Sequence, residues 1–180
     1  MSSDIWVEVD RSMQRAQELL SHIPNGYKKA ITRAFNRALM EGRTLATRSV
    51  TDNYTVKAKT VRPTFTIKKA TNGSIEGELE SKGPMLGLDK FKHKGGKRKP
   101  VRVMVRADGG FNEIKRGFIW NNLIMRRQSK SRLPIDRLYA PAVPIMLNNE
   151  AVHDDVMEKI GEAVIKRLDH ETQRILNGQG

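Results

Sequence analysis

The 180-residue sequence contains no cysteine, so disulfides and thiolate metal sites are excluded. Aromatic residues make up only 6% of the chain, and no apolar run reaches the roughly 18 residues that a membrane-spanning helix needs. The N-terminal stretch M-S-S-D-I-W-V-E-V-D is acidic and lacks an apolar segment, which predicts that it is not a secretory signal. The absence of cysteine is compatible with a reducing cytosol.

Positive charge is the strongest feature of the composition. The chain has 33 Lys and Arg against 20 Asp and Glu, giving a net charge of +13. A field of this size attracts polyanions, which are nucleic acids, anionic membrane surfaces or acidic proteins. The length suits one domain with a real core, so we expect a single domain over residues 1–180.

Apolar spacing predicts helices at both ends of the chain. Residues 8–20 form a short amphipathic stripe within an N-terminal arm, 1–26, that ends at turn residues. Alanine-rich steps of three and four predict a long helix over 27–50. A similar stripe predicts one last helix that begins at Pro144 and reaches Ile175.

The middle of the chain has the alternation that is typical of strands. Strands are predicted at 64–70 and 74–80, which form a hairpin with opposite charges on its exposed faces, and at 101–106. Buried strand pieces are predicted at 117–120 and 122–125. The fold class is therefore α+β, in which a long N-terminal helix and a C-terminal helix pack on a mainly antiparallel sheet. Between helix and sheet, Thr55 is expected to cap a short helical turn.

Glycine, proline and lysine concentrate in residues 82–99, which we interpret as a mobile basic loop. Its basic residues are Lys90, Lys92, Lys94, Lys97, Arg98 and Lys99. A second basic turn contains Arg126, Arg127, Lys130 and Arg132. Such residues suit DNA phosphates, and they equally suit a loop that becomes ordered against a protein partner.

A catalytic function has little support in the sequence. The four histidines are scattered, and the nucleotide-binding and hydrolase motifs are absent. The run from Glu78 through Glu80 to Lys82 resembles the metal-binding strand of some nucleases, but a solvated strand face gives the same pattern. We therefore expect no enzymatic activity, no cofactor and no metal.

Three prolines punctuate the apolar segment R-L-P-I-D-R-L-Y-A-P-A-V-P-I-M-L at 132–147. Proline fixes φ and favours extended geometry in the preceding residue, which predicts an ordered, extended connector between sheet and last helix. Either core packing or a subunit interface explains its apolar character. The residues concerned are Leu133, Pro134, Ile135, Leu138, Tyr139, Pro141, Val143 and Pro144.

Three stretches together resemble the phage minor tail protein Z family, which comprises tail-completion or head–tail joining proteins of long-tailed phages. One is the alanine-rich helix flowing into T-D-N-Y-T-V-K-A-K-T-V-R-P-T-F-T-I-K-K-A-T at 51–71. Another is G-F-I-W at 117–120, followed by I-M-R-R at 124–127. The most specific is the 132–147 segment, which matches the family pattern L-P-I-x-x-L-Y-x-P-S-V-P.

The resemblance covers about residues 27–170, and Ala142 stands where the family often has serine. It implies a virion protein of the tail or neck, made in the host cytoplasm, that forms a hexameric ring. Such a ring would complete the tail and join it to the DNA-filled head, with DNA passing through the lumen. The implied partners are a tail terminator or tail tube and a head-connector (stopper) protein. A basic, sequence-independent nucleic-acid-binding protein remains the alternative.

Overall fold

The computed structural model describes residues 2–96 and 99–178, which fold into two compact units. The helical unit comprises residues 1–46, 65–80 and 153–180; the β unit comprises 47–64 and 81–152. Long helices and small sheets confirm the α+β fold class. Within the described residues, no helix has the length and apolar character needed to cross a bilayer.

Five helices and ten short strands are described. The helices are α1 (Ser2–Leu19), α2 (Gly26–Asn53), α3 (Ala58–Val61), α4 (Val143–Leu147) and α5 (Glu150–Leu176). The strands are β1 (Phe65–Lys68), β2 (Glu78–Ser81), β3 (Leu86–Gly87), β4 (Lys92–Gly96), β5 (Lys99–Met104), β6 (Asn112–Glu113), β7 (Gly117–Trp120), β8 (Leu123–Arg127), β9 (Ile135–Arg137) and β10 (Tyr139–Ala140).

The core of the helical unit lies between α1, α2 and α5. Small side chains on α2 let the helices approach closely, as the alanine-rich stripe predicts. The fully buried residues include Leu20, Ile31 and Leu168. Helix α1 begins earlier than the predicted residue 8, because Trp6 continues its apolar stripe and packs against the core.

Strands β1 and β2 pair, which confirms the predicted hairpin and its complementary charges. The ammonium of Lys68 donates to the Glu78 carboxylate at 2.7 Å, and this hydrogen bond raises the pKa of Lys68. Strand β2 begins at Glu78 instead of residue 74. The preceding residue, Gly77, lies very close to Leu39: a Cβ atom on residue 77 would be 2.6 Å from the Cδ1 atom of Leu39.

The β unit contains three small sheets and no single large one within its described residues. Their strand orders are β10-β3, β4-β5-β6 and β7-β8-β9, and all the pairings are antiparallel. Asn121 and Asn122 join β7 to β8 with φ of 47° and 60°. Two successive positive φ values define the tight turn that suits the twist of a hairpin, and asparagine tolerates them well.

The segment 82–99, predicted to be a mobile loop, contains regular structure over most of its length. Residues 86–96 form β3, a 3-10 turn at Leu88–Lys90, and β4. Every residue of β4 is exposed, so the strand has no apolar alternation from which it could be recognised. Its partner β5 supplies the buried side chains, Val101 and Val103.

The proline-punctuated segment is ordered and extended, as predicted, and includes β9 and β10. The single helix predicted from Pro144 is instead two helices, because α4 ends at Leu147 and α5 begins at Glu150. Asn148 and Asn149 separate them. Asparagine competes for backbone hydrogen bonds and favours helix ends over helix interiors.

Candidate partner interface of the β unit

All of the excess positive charge belongs to the β unit. Its sequence ranges contain 20 Lys and Arg against 6 Asp and Glu, a net charge of +14. The helical unit has 13 against 14, a net charge of −1. Polyanionic partners are therefore expected to bind the β unit.

A cleft of about 830 Å³ collects lysines from two separate segments of the β unit. We call it the lysine cleft and define it by Lys57, Lys59, Lys90 and Lys92. Buried apolar side chains also line it, namely Tyr54, Val56 and Phe91. No arginine is among its described lining residues.

Thr55 holds these two segments together. Its backbone N–H donates to the Val105 carbonyl at 2.9 Å, and its hydroxyl accepts from the Lys92 N–H at 3.1 Å. The hydroxyl also donates to the Met104 carbonyl. The predicted capping role of Thr55 is therefore wrong, because its hydroxyl is bonded within the sheet. The N-cap of α3 is instead Lys57, whose side chain makes no capping hydrogen bond.

The carboxylates of the lysine cleft are already paired. Asp89 lies 3.0 Å from Arg137 and 3.2 Å from Lys90, and Asp52 lies 3.8 Å from Arg48. Burial alone would raise the pKa of Asp89, but hydrogen bonds from Arg137 and Lys90 outweigh it and hold the pKa below its usual value.

The remaining lysines of the cleft stay uncompensated. Among the described residues, Lys57, Lys59 and Lys92 have no carboxylate partner, and all three are exposed. These three lysines are therefore available to bind an anion.

A second basic concavity, of about 560 Å³, has different chemistry. We call it the arginine cradle and define it by Lys115, Arg116, Arg126 and Arg127. Its one described carboxylate, on Asp136, accepts both bonds from the Gln128 amide at 2.9 Å.

Two of the arginines are oriented by neighbouring groups. Arg116 has a φ of 59° and donates to the Gln128 carbonyl at 3.0 Å. The Arg127 guanidinium lies 5.5 Å from the centroid of the Phe118 ring. Planar guanidinium groups that are held in place suit bidentate recognition of phosphate.

The structure distributes the predicted basic residues over several places. Lys90 and Lys92 line the lysine cleft, and Arg126 and Arg127 line the arginine cradle. Lys94 lies over the Phe111 ring, 4.3 Å from its centroid. The others among the described residues, Lys99, Lys130 and Arg132, are exposed, and Lys97 and Arg98 lie outside the described residues.

Sequence reasoning missed half of the residues that define the two sites. Lys57 and Lys59 were part of a predicted helical turn, and Lys115 and Arg116 preceded a predicted strand. Each is a pair of cations within three residues, a signal too common on protein surfaces to identify a site. Only the pairing of distant segments brings them together.

The 132–147 segment is divided between core and surface. Val143 is buried, Ile135, Leu138 and Pro144 are partly buried, and Pro134 and Pro141 are exposed. Leu133 and Tyr139 are large apolar residues that remain 66% and 49% exposed. Core packing therefore explains part of the segment and leaves these exposed side chains unexplained.

The nuclease-like run does not form a metal centre within the described residues. The carboxylate of Glu78 is bound to Lys68, and no group of three or more potential His, Asp or Glu ligands occurs in this part of the chain.

Comparison with known families adds a decisive observation. The model of the family described as prophage minor tail protein Z (GPZ) matches residues 11–178. The chain belongs to this family. As a minor tail Z protein it is a structural component of the phage virion, and the resemblance inferred from the sequence is confirmed. Searches of curated proteins and of solved structures gave no significant match.

Proposed function

We propose that this minor tail Z protein completes the phage tail as a hexameric ring in the neck, where it joins the tail to the DNA-filled head. The match to the family over residues 11–178 carries this proposal. The protein acts by oligomerisation and by docking between neighbouring rings, with the tail terminator or tail tube on one side and the head-connector (stopper) protein on the other. It catalyses no reaction and uses no cofactor.

The exposed part of the 132–147 segment supports subunit contacts. Tyr139 lies opposite Gly87 in the β10–β3 pair, and the adjoining Met85 is 57% exposed. Ile145 on α4 is 58% exposed. A closed ring needs one surface of each subunit to fit a different surface of its neighbour, and exposed apolar side chains suit such contacts.

Electron microscopy of particles from a phage that lacks this protein tests the role directly. We expect filled heads and separate tails to accumulate, and expression of the wild-type protein should restore joined particles. Joined, infectious particles in the absence of the protein would refute a role in tail completion. Light scattering on the purified protein, alone and with tails, tests the ring independently.

The arginine cradle favours a second function, non-specific contact with double-stranded DNA in the lumen. Released counterions make such binding depend on salt, with a slope of roughly −0.9 per neutralised phosphate. Replacing Arg126 and Arg127 by alanine should reduce that slope by about 2 for a random-sequence duplex. The matched control, Lys57→Ala with Lys59→Ala, should change the slope less; equal changes would remove the case for the cradle.

A further inference from the structure

We infer that the lysine cleft binds an extended, acidic segment of a neighbouring virion protein. The identity of the partner as a virion protein rests on the proposed role in the neck, whereas the peptide chemistry rests on the cleft alone. The unpaired Lys57, Lys59 and Lys92 supply the charge, and the largely buried side chains of Tyr54 and Phe91 form part of the wall beside it.

The cations of the cleft come from two segments, with Lys57 and Lys59 on one and Lys92 on the other. A ligand that meets all of them must carry negative charges spread along its length. An extended peptide does this, because alternate side chains point to opposite sides of the backbone. Alternate acidic residues of the peptide can then face the lysines.

The type of cation distinguishes this site from the arginine cradle. Lysine is a compact point charge that pairs with anions without demanding a fixed geometry, whereas the arginine fork favours planar, bidentate contacts with carboxylate or phosphate. The described lining of the cleft contains four lysines and no arginine.

The size of the cleft also suits an extended peptide. Its volume of about 830 Å³ lies within the roughly 300–1,000 Å³ typical of ligand-binding clefts. A single extended chain can enter a cleft of this size.

Titration of the whole purified protein with a fluorescein-labelled peptide of alternating glutamate and valine tests the inference. We expect saturable binding that a peptide of alternating lysine and valine does not reproduce. Lys57→Glu combined with Lys59→Glu should weaken binding about tenfold or more, since two attractions become repulsions. Circular dichroism should show an unchanged fold, because both side chains are exposed.

The matched control reverses two charges in the arginine cradle, Arg126→Glu with Arg127→Glu. This variant has the same net charge as the cleft variant, and it should keep peptide binding within about twofold of the wild type. Equal loss in both variants would show that only the overall field attracts the peptide, and the cleft proposal would fail. Absence of saturable peptide binding to the wild type would also overturn it.

A competing duplex separates the two classes of partner. Unlabelled double-stranded DNA should leave the peptide bound in the cleft, whereas displacement in parallel with DNA binding would assign the cleft to nucleic acid. In phage, the Lys57→Glu and Lys59→Glu protein should fail to join heads and tails. Normal joining by that variant would overturn the virion partner yet leave tail completion intact, because only the null phage tests that role.

Discussion

The helical unit and the β unit use charged residues in opposite ways. In the helical unit, the side chain of Glu171 is fully buried, and three arginines surround it. In the β unit, many exposed cations have no carboxylate partner among the described residues. Charge thus serves the fold in one unit and remains available for binding in the other.

This difference explains how a chain with a net charge of +13 can fold. Self-repulsion destabilises a compact state, and it is least costly where cations stay exposed to water and salt. The near-neutral helical unit contains the long helices and their packed core, while the β unit distributes its charge over small sheets. Variants that perturb stability should therefore be most severe in the helical unit.

The largest expected effect is loss of core packing in the helical unit. Leu168→Ala should lower the free energy of unfolding by about 3 kcal/mol, because Leu168 is fully buried and leaves a cavity. Val103→Ala in the β unit removes less buried surface and should cost about 2 kcal/mol. Urea denaturation followed by circular dichroism measures both, and the reverse order would contradict the comparison.

The buried carboxylate should give the next largest effect. Glu171→Gln leaves Arg37, Arg174 and Arg33, which lie 3.4, 3.3 and 4.0 Å from its oxygens, without their shared counter-charge. Because the arginines are partly hydrated, we expect a loss of about 2–3 kcal/mol in urea denaturation. Glu158→Gln, on the exposed face of the same helix, is the control and should have almost no effect.

Burial was predictable where the apolar pattern was long. The α2 stripe and the buried Val101 and Val103 follow from spacing alone, because their packing repeats at the helical or strand period. Strand β4 was not predictable, since its stability comes from β5 and its own residues are all exposed. The break between α4 and α5 was missed because Asn148 and Asn149 interrupt a stripe that otherwise continues.

The candidate sites were harder to predict than the fold. Sequence reasoning selected the densest runs of lysine and arginine, and Lys90 and Lys92 do line a cleft. Local density cannot show which cations are paired, and it cannot join Lys57 to Lys92 across 35 positions. The lysine cleft and the arginine cradle differ because the fold brings different distant segments together at each site.

Asp89 is an exception in the β unit, because its side chain is only 6% exposed and its charge serves the fold. Asp89→Asn should cost about 1.5 kcal/mol at neutral pH, where it removes hydrogen bonds to a carboxylate. The folded-state pKa is lowered, so this stability is complete above the unfolded pKa of about 3.9 and is lost as the pH falls through the folded value.

The difference between wild type and Asp89→Asn should therefore shrink as the pH falls below about 4 in denaturation experiments. Asp52→Asn provides the comparison, because the Asp52 carboxylate is 67% exposed and lies 3.8 Å from Arg48. A loss from Asp52→Asn as large as that from Asp89→Asn would show that burial does not distinguish the two.

The smallest effect should come from a lysine that only partly serves the fold. The Lys94 ammonium lies 4.3 Å from the centroid of the Phe111 ring, and an exposed cation–π contact contributes about 0.5–1 kcal/mol. Lys94→Ala should therefore lower the free energy of unfolding by about 0.5 kcal/mol, and Lys94→Arg should retain most of this contribution. Lys99→Ala should have no measurable effect on stability, because Lys99 has no ring partner among the described residues. Equal stabilities of the Lys94→Ala and Lys99→Ala proteins would show that Lys94 does not stabilise the fold. Cations that stabilise the fold and cations available for binding would then be divided more closely along the boundary between the two units.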